Sequence, residues 1–490
     1  MTETLKIHAT VLDGARVSGR RGIAALVNPV GSAAERAAVG KQQRATVPLG
    51  DHAAVGAGSD RRDPLALLEE QCVERVPELV PIRYGRMMVS AFTFYRGAAR
   101  VMAADLAATG STGLIVQLCG DAHLSNFGVF GSPERRLIFD INDFDETLPG
   151  PFEWDVKRLV ASLVIAAQDS GFTRKQWRGI AQAAAARYRT AITEFAGMRD
   201  IDVWYSRLGT DEIQKELTPR LDAKRQKKLN KSFAQARTRD SMQAVSKLTE
   251  TTDGQRRIVG DPPLIVPLRD MVPGLEQQDL QERFRQLIRH YRRTLEPDRR
   301  VLLERYRFVD MARKVVGVGS VGTRCWIVLL TGRDESDPLF LQVKEANTSV
   351  LAEFVGRSGY ANQGQRVVSG QRVMQQASDI FLGWQRTTGI DDVRRDFYIR
   401  QLRDWKGSIE VEALLPKGLQ YYGELCAWSL ARAHARSGDR IAISAYLGSS
   451  DTFDRAMADF GESYAELNAG DHQLLIDAVA AERIAARTGL

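Results

Sequence analysis

Two short segments of the chain contain the residue types of a phosphoryl-transfer site. The first, Gly120–Asn126, has an Asp and an Asn five residues apart. The second, Phe139–Asp145, is a β-patterned run that ends in further aspartates. In phosphoryl transfer, one carboxylate orients the attacking hydroxyl, and an amide oxygen and a second carboxylate hold the metal ion on the nucleotide phosphates. The two segments together match this requirement.

A glycine-rich segment far downstream would supply the other half of such a site. Gly317, Gly319 and Gly322 form a GxGxxG pattern, which is a weak signal on its own. A dinucleotide-binding fold needs a helix directly after the glycines, but here β-branched and aromatic residues, a polar turn and another strand follow. The pattern favours a glycine loop that covers phosphates in an antiparallel hairpin, with Lys344 on the next strand within reach of them. The alternative is a structural glycine turn with a surface lysine.

These segments resemble those of known phosphotransferases. Gly120–Asn126 resembles the His-Gly-Asp-x-His-x-x-Asn segment of aminoglycoside and choline phosphotransferases, and Asp143–Asp145 resembles their metal-binding Asp-Phe-Gly segment. Asp155 matches the aspartate of a later helix that braces the catalytic loop in those enzymes. The chain also looks like a member of a bacterial family of unknown function in the protein-kinase-like superfamily, with hallmark segments at 120–128, 142–146 and 364–368.

The resemblance implies a role for each matching residue. Asp121 would be the catalytic base or the group that positions the hydroxyl, and His123 would orient the loop or simply be a buried, hydrogen-bonded histidine. The residues that would bind the metal ion or the phosphates are the ligands Asn126 and Asp143, the phosphate-pairing lysine Lys344, and the lid glycines Gly317, Gly319 and Gly322.

The chain departs from the pattern of these relatives at several positions. Cys119 stands where they have His, which would remove a contact that braces the loop. Asp145 replaces the Gly of Asp-Phe-Gly and would add a second metal contact. Asp140 and Asp143 both fit as the metal carboxylate, but the spacing to Asp155 and the preceding residues Ile141 and Asn142 favour Asp143. By charge, Glu353 is the best candidate for the acid that pairs with the phosphate-binding lysine.

The order of the segments differs from that of an ordinary kinase, in which the glycine loop comes first. Here Asp121 lies far upstream of Gly317. A second catalytic loop could be placed only at Ser437–Asp439, which lacks the following Asn and metal-binding segment. We therefore predict a circularly permuted, two-lobed, protein-kinase-like fold of the α+β class, because permutation is tolerated where the original termini are close. The helix that ends near Arg436 should lie beside the strand that leads into Gly120.

The same patterns divide the chain into four parts. They are an N-terminal arm over 1–60, a helical lobe with the catalytic and metal-binding loops over 61–305, a small antiparallel β-rich nucleotide-binding lobe over 306–405, and helices that complete the helical lobe over 406–490. The predicted helices are Asp63–Gln71, Arg83–Leu106, Trp154–Gln168, Arg174–Phe195, Leu280–Tyr306, Gln363–Ala377 and Tyr421–Arg436. The predicted strands are Leu114–Leu118, Leu137–Ile141, Cys325–Leu330, Leu339–Val343 and Phe397–Leu402.

Composition limits the classes of function. The 490 residues include 68 Lys and Arg against 61 Asp and Glu, a net charge of +7 that suits a nucleotide but is too small to indicate nucleic-acid binding. The basic stretch 219–239 is interpreted as a solvated helix face or, alternatively, as a rim for an acidic substrate. The 4 cysteines are scattered, and neither a membrane-length apolar run nor a signal sequence is evident, so we expect a cytoplasmic protein without membrane contact.

The motifs together predict an ATP- and Mg²⁺-dependent phosphotransferase that acts on an unidentified hydroxyl group of a small molecule or a protein. The first alternative is a catalytically weak pseudokinase that binds nucleotide as a regulator or scaffold. Nucleotidyl transfer on the same fold and a nucleic-acid-binding module are further alternatives, although the basic stretch lacks interleaved aromatic residues.

Overall fold

The computed structural model has an α+β fold, in which one larger sheet lies beside a helical body. It describes residues 31–490 apart from 57, 219–222, 239–240, 253, 273–286, 390, 403–404, 406 and 408–409. The strands of this part are β1 Ile115–Leu118, β2 Phe127–Gly131, β3 Leu137–Ile141, β4 Leu148–Pro151, β5 Thr249–Thr252, β6 Gln255–Ile258, β7 Ile265–Pro267, β8 Arg307–Lys314, β9 Cys325–Thr331, β10 Pro338–Glu345, β11 Gly383–Thr388 and β12 Arg394–Gln401.

The α-helices of the described part are α1 Ala33–Thr46, α2 Pro64–Cys72, α3 Val80–Met87, α4 Ala91–Gly97, α5 Ala99–Ala107, α6 Phe152–Asp169, α7 Arg174–Ala196, α8 Asp200–Tyr205, α9 Thr210–Leu217, α10 Ala223–Arg237, α11 Ser241–Leu248, α12 Leu268–Met271, α13 Pro297–Leu303, α14 Ala352–Val355, α15 Gln363–Met374, α16 Pro416–Ser437, α17 Arg440–Leu447 and α18 Thr452–Ala480. Among these residues, none of the helices is both long and apolar enough to cross a lipid bilayer.

An antiparallel sheet of 6 strands, in the order β11-β12-β10-β9-β8-β7, forms the β-rich part. Side chains alternate between its two faces along each strand. Ile327 and Leu329 therefore pack on one face in a cluster that includes α11, whereas Val328 and Leu330 pack on the other in a cluster that includes Tyr291. Since both faces are covered, β9 reads as a continuous apolar run, which is why the sequence predicts it well.

The helical body is assembled from two distant parts of the chain. Helices α6 and α7 pack against α16 and α18, which come from the C-terminal part. Every residue of α6 from Phe152 to Ala167 is buried, because the helix is surrounded by its neighbours. The helical body therefore contains helices that precede the large sheet in the sequence and helices that follow it.

Helix α16 ends beside β1, as predicted from the sequence. The Gln117 backbone N–H donates a hydrogen bond to Ser437 Oγ at 3.1 Å. A Cβ atom on Gly438 would lie only 2.8 Å from the Ile115 carbonyl oxygen, so a glycine is needed for this close approach. The prediction that the helix ending near Arg436 lies beside the strand leading into Gly120 is confirmed.

The single helix predicted over Arg83–Leu106 is wrong, because α3, α4 and α5 cover this stretch as separate helices. Ser90 begins α4 with a reciprocal cap. Its hydroxyl accepts a hydrogen bond from the Thr93 N–H at 3.2 Å, and the Thr93 hydroxyl accepts one from the Ser90 N–H at 2.8 Å. Such side-chain bonds to the backbone compete with continuation of the preceding helix.

The long helix predicted over Leu280–Tyr306 is interrupted in its described part, and residues 280–286 lie outside the described residues. Helix α13 begins at Pro297, with Glu296 in an extended conformation before it. Proline lacks an N–H and cannot continue a helix, but it fits the first helical position. The basic stretch at 219–239 contains α10, while 219–222 and 239 lie outside the described residues.

The boundaries predicted for the first and third parts of the chain also need correction. Residues 1–30 of the predicted arm lie outside the described residues, but from Ala33 onwards the chain forms α1, which packs against α17 and is tied to it by an Arg36–Asp439 ion pair of 2.8 Å. The sheet begins before residue 306, because β7 pairs with β8. Both errors arose because weak local patterns gave no sign of these long-range contacts.

Candidate active site

A cleft of about 700 Å³ brings the predicted site residues together. Its walls come from the loop after β1, the loop after β3, the glycine segment between β8 and β9, and the chain after β10. The predicted residues that line it are Asp121, Asn126, Asp143, Gly317 and Gly319. Lys344 lies behind this wall and contacts two of its carboxylates, whereas Gly322 is at the base of the glycine segment.

The loop after β1, which is the predicted catalytic loop, is held by the Asp155 carboxylate near the start of α6. Asp155 Oδ2 accepts a hydrogen bond from the Cys119 N–H at 2.8 Å, and Oδ1 accepts one from the Gly120 N–H at 3.1 Å. Gly120 has a φ of 86°, and a Cβ there would lie 2.4 Å from the Glu146 carbonyl oxygen. Only glycine fits this turn. Asp155 thus braces the loop as the resemblance implies.

A histidine from another helix also contacts this bracing carboxylate. His434 Nε2 of α16 lies 3.3 Å from Asp155 Oδ2, and the ring's Nδ1 lies 2.7 Å from the Tyr188 hydroxyl of α7. Cys119 makes its own contact through the backbone, and burial raises the pKa of its thiol well above the usual range. His434, from a helix remote in the sequence, thus adds a contact to the carboxylate that holds the loop.

Asp121 is fixed by Arg158, which lies one turn after Asp155 on α6. Arg158 Nε and Nη2 lie 2.8 and 2.7 Å from Asp121 Oδ1. The guanidinium itself is buried against the ring of Tyr95, 3.9 Å from the ring centroid. The Asp121 side chain is 20% exposed, and its second oxygen, Oδ2, lies 3.6 Å from His123 Nε2. The carboxylate therefore faces the cleft in one fixed orientation.

His123 is buried in the catalytic loop beside Asp121. Burial, together with the positive charges of Arg96 and Arg158, holds the pKa of His123 well below its ordinary value, so the ring is neutral. The ring packs edge-on against Phe92, with the centroids 6.5 Å apart. Its backbone N–H donates to the Asp121 carbonyl at 2.8 Å. These contacts suit the predicted loop-orienting role better than proton transfer.

Asn126 and Asp143 present oxygen atoms to the same cleft. Asn126 Nδ2 donates to the Asp121 carbonyl at 2.8 Å, which leaves Oδ1 as the amide atom available to a cation. Asp143 Oδ1 accepts a hydrogen bond from the Asp145 N–H at 3.1 Å, and the Asp143 side chain is 30% exposed. Amide and carboxylate oxygens are the ligand types that Mg²⁺ prefers.

The structure separates the three aspartates that the sequence offered as metal carboxylates. Asp140 is fully buried, forms an ion pair of 2.8 Å with Arg432, and accepts a hydrogen bond from the Gln376 N–H at 2.8 Å. Its role is structural, so it is removed from the candidates. Asp143 and Asp145 both line the cleft.

Lys344 is buried on β10 and forms ion pairs with both cleft aspartates. Its Nζ lies 2.6 Å from Asp145 Oδ2 and 3.6 Å from Asp143 Oδ2. Burial disfavours the ammonium form, but the charges of Asp143 and Asp145 outweigh it and raise the pKa of Lys344 well above its usual value. The Tyr398 hydroxyl donates to the other Asp145 oxygen at 2.6 Å. The lysine is therefore charged and held at the cleft.

Glu353 is not the partner of Lys344, so that prediction is wrong. Glu353 is exposed and pairs with Arg62 at 2.7 Å and Arg100 at 3.0 Å. The helix that follows the lysine strand, α15, instead contributes Arg366, which donates to the carbonyl groups of Asp145 at 2.8 Å and of Thr147 at 2.7 Å. Arg366 belongs to the hallmark segment 364–368, but its contact with the aspartate loop had no signal in the sequence.

Sequence reasoning also missed Glu146, which lines the cleft directly after the aspartates. Its Oε2 accepts a hydrogen bond from the Val350 N–H at 2.7 Å. Burial raises the pKa of Glu146 to about 7, against the opposing charge of Arg366. The residue stands in the hallmark segment 142–146, and this position was its only signal.

The glycine segment is tied to the helical body and to the aspartate loop. Gly317 and Gly322 have φ values of 63° and 91°, which favour glycine. The Val76 N–H donates to the Gly322 carbonyl at 2.8 Å, and Ser320 Oγ donates to Asp145 Oδ2 at 3.3 Å. The segment therefore forms one wall of the cleft rather than a separate turn.

The fold and the site define an α+β protein in which a glycine hairpin and a buried lysine face an aspartate- and asparagine-bearing loop. The family described as "uncharacterized protein conserved in bacteria (DUF2252)" matches residues 75–478, which is well over half of the chain. The chain belongs to this family. The matched part contains all the predicted site residues. No curated protein and no solved structure shows a significant match to the chain.

Proposed function

We propose that this protein is an ATP- and Mg²⁺-dependent phosphotransferase that acts on a hydroxyl acceptor. The proposal rests on one observation: Lys344 Nζ lies 3.6 Å from Asp143 Oδ2, in a cleft that is also lined by Asp121 and the glycine segment. Neither half would suffice alone. The glycine hairpin has no metal ligands, and the helical half has no loop to cover phosphates.

A protein-kinase-like fold with permuted chain order is part of this proposal. In kinases the glycine loop follows the first strand of the small lobe, and the lysine lies on the third. Here the glycine segment follows β8, Lys344 lies on β10, and α15 comes next. The close contact between the end of α16 and β1 supports a permutation, because it brings the C-terminal helices to the strand before the catalytic loop.

The oxygen ligands of the cleft fit a magnesium ion that is shared with a nucleotide. The described residues contain no group of three or more His, Cys, Asp and Glu side chains arranged to hold a metal ion. Mg²⁺, however, is commonly held by one or two carboxylates and completed by substrate phosphates and water. Asn126 and Asp143, with Asp145 beside them, would supply the protein oxygens. The ion would neutralise charge on the phosphates.

The remaining residues would position the reactants. Arg158 holds Asp121 Oδ1, so that Oδ2 would accept the hydrogen bond of the acceptor hydroxyl. Lys344 would bind phosphate oxygens below the glycine segment. Fixed charges of this kind in a partly buried site provide much of the catalysis in phosphoryl transfer.

Calorimetric titration of ATP with Mg²⁺ or with EDTA tests the binding half of the proposal. Affinity that requires Mg²⁺ is expected, and equal affinity in EDTA contradicts the proposed ligands. The transfer half is tested by incubating the protein and the Asp121→Asn variant with γ-labelled or α-labelled ATP and a metabolite extract, followed by mass spectrometry of the products. γ-Label in a product of the wild type alone supports phosphoryl transfer. α-Label indicates nucleotidyl transfer, and Mg²⁺-dependent binding without either product indicates a regulator.

A further inference from the structure

Arg96 at the end of α4 lines the cleft and has no ion-pair partner among the described residues. Its Nε is buried without a hydrogen bond, and the charges of Asp121 and Glu412 act on the guanidinium only from beyond ion-pair distance, against the lowering of its pKa by burial. Among the other arginines of the cleft, Arg75 has the same unbonded Nε but donates through Nη1 to the Val321 carbonyl, Arg100 pairs with carboxylates, and Arg357 is exposed. A half-buried guanidinium that lines a cleft without an ion-pair partner is suited to bind an anion there.

Arg96 lies between the two halves of the proposed site. Its guanidinium is 6.0 Å from the centroid of the Phe92 ring, and the same ring packs edge-on against His123 in the catalytic loop. On the other side, a Cβ atom on Gly319 would lie 3.1 Å from the Arg96 carbonyl oxygen. Arg96 lines the same cleft as Gly319 and Asp121, and the Asp121 charge acts on its guanidinium.

We propose that Arg96 is the cation that binds the terminal phosphoryl group of the nucleotide while it is transferred. This inference rests on the proposed phosphotransferase function. During transfer, negative charge spreads over three phosphoryl oxygens, and an arginine placed there stabilises it. His123 is neutral and does not supply this charge, and Lys344, which is paired with Asp145 on β10, would bind the other phosphates of the nucleotide. Arg96 is left for the phosphoryl group.

The proposed step is balanced without any further reactant. The acceptor oxygen forms a bond to the γ-phosphorus as the bond from that phosphorus to the β,γ-bridging oxygen breaks, and ADP leaves. The hydroxyl proton passes to Asp121. Arg96 neither gains nor loses a proton. It donates N–H bonds to the phosphoryl oxygens, and the planar guanidinium can bind two of them at once.

The test compares Arg96→Gln and Arg96→Lys with Arg394→Gln, which removes the same charge from an exposed position on β12 outside the cleft. Single-turnover hydrolysis of Mg·ATP should fall by about 100- to 1,000-fold in Arg96→Gln, with a smaller loss in Arg96→Lys. The affinity for Mg·ATP should change only a few-fold, because the contact strengthens in the transition state.

A second readout separates this role from a structural one. Mg·ADP with aluminium fluoride, which mimics the planar phosphoryl group, should bind the wild type more tightly than Mg·ADP alone, and Arg96→Gln should lose this gain. The thermal unfolding midpoint of that variant should change little, since the half-buried Arg96 forms no ion pair among the described residues. If Arg96→Gln keeps its turnover and still binds Mg·ADP more tightly in the presence of aluminium fluoride, the role of Arg96 is overturned while the proposed function stands. A wild type that neither binds nor hydrolyses Mg·ATP overturns both.

Discussion

Lys344 Nζ lies 2.6 Å from Asp145 Oδ2, although the two residues are 199 positions apart in the sequence. The lysine side chain is 3% exposed, and the other Asp145 oxygen accepts a hydrogen bond from Tyr398. The pair joins the central strand β10 to the loop after β3. The arrangement of the cleft and the stability of the fold therefore depend on the same contact.

Replacing Lys344 by Met should destabilise the protein by about 1–3 kcal/mol, because Asp145, whose side chain is 28% exposed, loses its charged hydrogen-bond partner. The double variant Lys344→Met/Asp145→Asn should recover part of this loss, since position 145 then carries no unpaired charge. Urea unfolding of the three proteins measures the difference. Arg333→Met is a matched control, because Arg333 pairs with Asp334 on the exposed surface and little change is expected. Equal stability of Lys344→Met and this control would show that the buried pair is unimportant.

The same pair shows what the sequence could and could not predict. Local spacing identified Asp121, Asn126 and Lys344, because the loops and strands that present them have short signatures. It assigned Lys344 to Glu353, nine positions away, because charge was the only guide. The actual partner is brought in by tertiary packing, for which a single sequence has no local signal.

Strand β4 and helix α4 illustrate the same limit in the fold. Leu148–Pro151 contains two prolines and a glycine, which are rare in strands, yet it pairs with β1 at the edge of a 2-stranded sheet. Its conformation is imposed by that pairing. In contrast, the Ser90 cap that begins α4 is a local signal. It was overlooked because the apolar residues on both sides of Ser90 recur at helical spacing, which favoured one continuous helix.

Asp143 and Asp140 should respond differently to loss of their charge. Asp143→Asn should reduce the Mg²⁺-dependent gain in ATP affinity by at least about tenfold, because even groups one step removed from a metal affect its binding by that factor. Asp140→Asn should instead lower the unfolding midpoint, since Arg432 would lose its buried partner, while the folded protein keeps its Mg²⁺ dependence. ATP titrations at several Mg²⁺ concentrations measure the first effect. A normal Mg²⁺ dependence of Asp143→Asn would remove Asp143 from the ligand set.

Asp121→Asn should separate binding from turnover. The carboxamide can occupy the same place but cannot take up the hydroxyl proton, so transfer should fall by about 100- to 10,000-fold. Nucleotide affinity should stay within a few-fold, because Asp121 faces the acceptor and not Lys344. Equilibrium titration and single-turnover assays on the same preparation check this. A loss of nucleotide affinity equal to the loss of rate would place Asp121 in the nucleotide site instead.

The pKa of Glu146, raised from its ordinary value of 4.5 to about 7, should appear in the pH dependence of stability. Between these values the folded protein keeps a proton that the unfolded chain releases, so unfolding becomes easier as the pH rises. Glu146→Gln cannot titrate but retains an acceptor for the Val350 N–H. The stability of the wild type relative to this variant should therefore fall as the pH rises from about 4.5 to 7, and stay constant above that. Parallel curves for the two proteins would contradict the raised pKa, since contributions from other groups cancel in the comparison.

The last prediction concerns the chain of contacts from Tyr188 through His434 to Asp155. Asp155 binds the N–H groups of Cys119 and Gly120 in the loop. His434 contacts the Asp155 carboxylate, and Tyr188 contacts His434, but neither contacts these N–H groups. Asp155→Asn retains the shape but offers only one oxygen acceptor, so one loop N–H loses its partner. Turnover should then fall strongly while nucleotide affinity is kept, because Lys344 and the glycine segment are unaffected.

Tyr188→Phe is the matched control for this prediction, because it removes only the outermost hydroxyl of the chain of contacts. Its effect on turnover should be smaller than that of Asp155→Asn, with His434→Gln between them. Assays of turnover, nucleotide affinity and thermal unfolding on all three variants separate a loop effect from general destabilisation. If turnover falls only in proportion to the fraction unfolded, the brace contributes stability alone. If nucleotide affinity falls in Asp155→Asn as much as turnover does, the loop and the half of the site that would bind phosphate are coupled more tightly than their contacts indicate. Asp155→Asn leaves one loop N–H unbonded, which costs about 1–3 kcal/mol when buried. His434→Gln and Tyr188→Phe leave none, and their order follows from their distance from the loop, because His434 contacts Asp155 and Tyr188 contacts only His434.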